Sequence, residues 1–154
     1  MNEIELIVEL EPIPTEVEWF VPFVQGILTR LGVENWQMGL LITDNKGIRT
    51  YNRRYRGIDR ATDVLSFVQK DGEEIPLPPG VPQEVGDIII SLERVAENAV
   101  EWNKSYDEEI RRVIIHGLLH LNGLDHPGDD YSGEMLQLQE KLLMDSLDML
   151  DKNS

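Results

Sequence analysis

Polar and apolar positions alternate over Glu5–Leu10, where Leu6, Val8 and Leu10 share one face, and this period of two predicts a first strand. The period then lengthens. Val17, Phe20, Val21, Val24, Ile27, Leu28 and Leu31 recur at helical spacing, so Thr15–Leu31 predicts one helix, with Gly32 just beyond it as a C-cap. Met38–Thr43 reads as a short apolar strand, Asp44 as the N-cap of the helix that follows, and Val64–Val68 as a third strand. Residues 69–84 are rich in proline and glycine and predict a long surface loop. Ile88–Ile90 is β-branched throughout and predicts a buried strand, after which Ser91 caps a helix running to about Lys104. Ser105-Tyr106-Asp107-Glu108 has the spacing of a capping box. The helix it opens, to about Asn122, is so apolar in its second half that it is expected at the centre of the fold. Gly133–Leu150 is a final amphipathic helix. Strands and helices intermingle, which predicts an α+β fold with a small mixed sheet packed against helices.

Length and composition narrow the function. The 154 residues are expected to form a single catalytic domain, residues 1–154. Cysteine is absent, which excludes disulfides, thiol catalysis, iron–sulfur clusters and cysteine zinc sites together. No apolar run approaches a membrane span, and Met1–Glu11 alternates unlike a signal peptide, so a cytoplasmic protein without membrane contact is expected. The net charge of −15 argues at first against nucleic acid. Its distribution reverses that. Lys46, Arg49, Arg53, Arg54, Arg56 and Arg60 fall within fifteen residues that contain one acid, Asp59, giving that segment +5 against −20 elsewhere. Such a run is either a solvated helix face or an anion site on an otherwise repulsive surface.

All three histidines lie in the eleven residues His116-Gly-Leu-Leu-His120-Leu-Asn-Gly123-Leu-Asp-His126. His116 and His120 are four apart on a helix and project from one face. Gly123 can adopt the left-handed conformation that turns His126 back toward them. Three converging neutral imidazoles with an open fourth position are the ligand set of a catalytic zinc, and burying them unpaired in a Leu/Ile-rich helix would cost on the order of a few kcal/mol each. Nickel, copper or iron would also suit imidazoles; availability and coordination preference favour one zinc ion. The spacing is similar to the metzincin signature H-E-x-x-H-x-x-G-x-x-H at every ligand and at the turning glycine, but Gly117 stands where the protease has its general base. Peptide hydrolysis by that route is disfavoured.

The same residues, with a second block, resemble the YbeY-type endoribonucleases. His116–His126 fits their motif H-G-x-L-H-L-x-G-x-D-H, and Asn52–Val68 follows N-x-x-Y-R-G-x-D-x-P-T-D-V-L-S-F-P except for Ala61 and Val68 in place of two prolines. Gly86-Asp87-Ile88-Ile89-Ile90-Ser91 matches a further family strand, and the likeness covers about Met38 to Leu150. The resemblance implies a zinc-dependent, single-strand-specific endoribonuclease acting in rRNA maturation (16S rRNA 3′ end processing) and ribosome quality control, with ribosomal partners and with Arg56 as the functional arginine beside the metal. Arg56 also belongs to the basic cluster, and a guanidinium fork suits phosphate oxygens.

The expected catalytic set is therefore Arg56, His116, His120 and His126, the three histidines holding the zinc. Arg53, Arg54, Arg60, Asp63 and Ser66 are candidate substrate contacts. Asp63 and Ser66 are equally able to cap a turn or bond the backbone. Asp125, Asp129 and Asp130 are candidate bases, although Asp125 is better suited to orient a ligand or cap the turn. Asp87, at a strand entrance, reads as structural, Met135 as core packing, and Trp19, Trp36 and Trp102 as core or surface anchors rather than base-stacking platforms. Two other readings stand beside the ribonuclease: a different zinc hydrolase such as a peptidase or amidase, and a non-catalytic ribosome-assembly factor with a structural metal.

Overall fold

Pro22 decides where the first helix starts. A helix continuous from Thr15 would set the proline ring against the carbonyl of Glu18, whereas in a first turn its missing N–H leaves no bond unmade. The computed structural model describes residues 1–69, 82–123 and 133–153, with side chains as far as Leu147. In it Thr15–Trp19 is a 3-10 turn and α1 spans Phe20–Arg30, so the single helix expected over Thr15–Leu31 is two elements. Gly32, at φ +70°, ends α1 as its position predicts.

The strands are β1 (Glu3–Val8), β2 (Trp36–Thr43), β3 (Val64–Val68) and β4 (Gln83–Ser91). They form one mixed sheet in the order β1-β2-β4-β3, with β3 antiparallel to β4 and the other pairs parallel. β1 begins two residues before the expected Glu5 because Glu3 already pairs with Gln37. β4 is three times the apolar run that announces it, since backbone pairing with β2 continues into the polar Gln83 and Glu84, while β3 pairs with Gly86–Ile90 on the other side. Asp87 accordingly lies within the strand, not at its entrance, with its carboxylate over Gly39 of β2.

Alternation along the strands divides the interior. Leu40, Ile42, Ile88 and Ile90 face the main core with α1, α3 (Leu92–Glu101), α4 (Tyr106–Leu121) and α5 (Gly133–Asn153). Leu65 and Ile89 face a smaller cluster with Ile48 of α2 (Asn45–Arg56) on the opposite side. α4 is the buried central helix: Ile110, Ile114, Ile115, Leu118 and Leu119 are all solvent-free. The caps fall where the sequence puts them. Asp44 accepts from Gly47 N–H at 2.8 Å, Ser91 from Arg94 N–H at 3.1 Å and Ser105 from Glu108 N–H at 3.2 Å.

Candidate functional site

α4 carries two histidines into a cleft of about 730 Å3. His116 and His120 follow one another on the helix face that also presents Glu109, Arg112 and Val113, at the four-residue spacing that keeps side chains in line. Their Nε2 atoms lie 2.8 Å apart and the rings cross at 69°. His116 Nδ1 is 2.8 Å from Oε1 of Gln139, a buried residue of α5. An amide oxygen only accepts, so this bond keeps the proton on Nδ1 and turns a lone pair of His116 Nε2 toward His120. Two imidazoles with facing Nε2 atoms, one fixed by an outer amide, are a donor set that fits a metal ion. Among the described residues no group of three or more His, Cys, Asp or Glu could hold one. The third expected ligand, His126, lies outside the described residues, as do Asp125, Asp129 and Asp130. Gly123 has the left-handed backbone that the expected turn requires, at φ +78°.

Arg56 enters the same cleft from the other side of the edge strand. α2 ends there because Gly57, at φ +72°, takes the left-handed position and returns its N–H to Arg53 O. The guanidinium donates from Nη2 to the Ser66 carbonyl at 2.9 Å and lies 5.4 Å from the Phe67 ring centre, which holds it beside β3. Arg60, Asp63 and Ser66 also line the cleft. Asp63 spends Oδ1 on Val64 N–H at 2.8 Å, while its carbonyl accepts from Ser91 N–H at 2.9 Å. Its geometry is that of a turn cap. Arg53 and Arg54 sit on the exposed side of α2 and are not among the residues lining the cleft. Arg49 pairs with Asp59 at 2.8 Å, which raises the guanidinium and lowers the carboxyl from their ordinary values. Asn52 anchors this turn by donating to Arg60 O at 2.9 Å, and its own Oδ1 is the one buried side-chain polar atom without a partner among the described residues.

Several lining residues escape the sequence reading. Glu109, 3% exposed, has its carboxyl raised by burial, with neighbouring Arg112 opposing the shift. Arg112 also bonds Glu108 and Glu140, each at 3.0 Å, so its charge in the cleft is already balanced. Gln139 was legible as a polar residue inside the apolar stripe Met135, Leu138, Leu142 and Leu143 of α5. Met135 is buried in the core, as expected. Of the tryptophans, Trp102 is half exposed on the cleft wall beside Arg94 and Asn98 of α3, whereas Trp36 is buried and Trp19 packs edge-on against Phe20 and Phe23.

Known proteins share this arrangement of sequence and fold. The profile of the family described as endoribonuclease YbeY matches residues 10–146. Endoribonuclease YbeY of Treponema denticola is 45% identical over 123 residues, which are 79% of this chain and 78% of that protein. Endoribonuclease YbeY of Enterococcus faecalis is 40% identical over 153 residues, 92% of this chain and 95% of that one. The solution structure of TM1509 from Thermotoga maritima superposes with a TM-score of 0.70 at 28% identity, covering 97% of this chain and 93% of that one. Profile and identities agree over most of the length, and the chain belongs to the endoribonuclease YbeY family.

Proposed function

We propose that the cleft is the active site of a zinc-dependent endoribonuclease that cuts single-stranded RNA during rRNA maturation, at the 3′ end of 16S rRNA, and in ribosome quality control. The observation that carries the reading is the convergence of His116, His120 and Arg56 on one cleft. His116, His120 and His126 would hold the ion. When bound, zinc supplies Lewis acidity toward a phosphoryl oxygen and lowers the pKa of a water to roughly 7. Gln139 orients His116 and keeps its Nε2 free of the proton. Arg56 presents donors to the non-bridging phosphate oxygens and stabilises the charge that builds on them, leaving Ser66 O for the stronger charge-assisted bond. Arg60 contacts an adjacent phosphate without reading sequence.

The acidic remainder of the surface repels RNA outside the cleft, which supports delivery of the substrate by a ribosomal subunit or protein. A cytoplasmic location follows from that role. Among the described residues no helix is long and apolar enough to cross a membrane.

The test pairs metal analysis with cleavage of single-stranded RNA by the purified protein, its His120→Ala variant and its Arg56→Glu variant. The expected result is one zinc per chain and cleavage in the wild type, loss of both in His120→Ala, and loss of cleavage with retained zinc in Arg56→Glu. Intact RNA with the zinc-loaded wild type would overturn the reading. Cleavage that survives in a metal-free His120→Ala protein would overturn the zinc dependence.

A further inference from the structure

We infer that α3 forms the second wall of the RNA groove, with Trp102 as the platform on which an unpaired base stacks and Arg94 as the phosphate contact beside it. This rests on the reading of the cleft as an endoribonuclease site and specifies how that site selects single strands.

Arg94, Asn98 and Trp102 are spaced by four, so α3 directs them to one face, and all three line the cleft that holds His116 and His120. Trp102 is 52% exposed where Trp36 is 8%, and its indole enters no ring pair or cation–π contact among the described residues. What singles this ring out is its place on the wall of the cleft, where its apolar face is open to a planar ligand. The backbone beneath it is fixed. Trp102 N–H donates to Asn98 O at 2.9 Å, Lys104 N–H to Ala99 O at 2.8 Å, and Asn103 between them takes φ +54°. The main chain that carries the indole is therefore held by hydrogen bonds at Trp102 and at Lys104.

The cations set the class of ligand. Arg94 enters no ion pair among the described residues, and Arg56 and Arg60 line the same cleft. A cationic track with an exposed aromatic ring is the two-part arrangement that holds single-stranded nucleic acid: the phosphates follow the charges and any base offers a π-face to the ring. A base inside a duplex has both faces covered by its neighbours. Trp102 thus discriminates strandedness without reading sequence.

The test uses the full-length zinc-loaded protein and two short labelled strands of equal length, a non-cleavable 2′-O-methyl RNA and its fully abasic counterpart, with binding read by fluorescence anisotropy. The wild type is expected to bind the base-bearing strand about tenfold more tightly than the abasic one. Trp102→Ala should bind both strands as the wild type binds the abasic one, and Trp102→Phe should recover much of the difference. Intrinsic tryptophan emission should be quenched by the base-bearing strand only. Arg94→Gln should weaken both strands alike and lower the salt slope by about 0.7. Equal wild-type affinity for the two strands, or a base preference that survives in Trp102→Ala, would overturn the inference while the cleavage assay leaves the endoribonuclease reading standing. A wild type that neither binds nor cuts RNA would remove both.

Discussion

Gly117 matters for what surrounds it. A Cβ at this position would stand 2.9 Å from Cδ1 and 3.0 Å from Cγ2 of Ile88, so α4 approaches β4 as closely as its backbone allows. The glycine that breaks the protease signature is thus also a packing requirement. Alanine would favour the helix by about 1 kcal/mol, but crowding a filled core costs about 1–3 kcal/mol, so the clash should win. Gly117→Ala is expected to lower unfolding stability by about 1 kcal/mol, measured as the urea midpoint. Gln139→Leu should leave stability nearly unchanged while weakening zinc binding about 10- to 100-fold in a chelator competition, because the amide that orients His116 is lost. At this scale the sequence is informative where spacing alone fixes geometry. His116 and His120 must share a face on any helix. Trp102 is different, because whether its face meets the core or the cleft depends on how α3 is rotated against α4.

Among elements, α4 begins with Ser105 accepting from Glu108 N–H, a bond that satisfies one of the orphan donors of the first turn. Ser105→Ala is expected to cost about 1 kcal/mol in thermal or denaturant unfolding. α4 is tied to α5 through Arg112, which lowers the Glu140 carboxyl from its usual value near 4.5. A carboxyl lowered by folding contributes stability that is present above the unfolded value and is lost as pH falls through the folded one. The stability gap between wild type and Glu140→Gln should therefore be present at pH 7, below about 1 kcal/mol for so accessible a pair, and shrink below pH 4.5. Element boundaries were legible where a residue enforces them, as Asp44, Ser91 and Ser105 do. They were not legible where pairing partners set the length, as for β4, or where one proline divides a continuous apolar pattern, as Pro22 does.

For the whole molecule, the basic cluster behaves differently from its +5 sum. Asp59 holds Arg49, Arg53 and Arg54 stand outside the cleft, and the site instead gathers Arg56 and Arg60 with Arg94 from a distant part of the chain. The cluster located the right end of α2 but not the other wall, since sequence shows charge density and only folding brings separated charges together. Three cationic contacts on an acidic molecule predict modest affinity with a slope of log K against log salt of about −2 for single-stranded RNA. Titrating the binding of a short RNA across salt concentrations checks it; a slope near zero would mean that the arginines do not meet phosphate.

Gln139 belongs to α5, whereas the histidine it orients belongs to α4 and Arg56 to α2. The order of synthesis therefore matters. A ribosome making this chain releases Arg56, His116 and His120 before the helix that sets the imidazole, and domains assemble as units rather than residue by residue. Until α5 docks, His116 therefore lacks the amide that fixes its proton on Nδ1, and the cleft lacks one of the residues that line it.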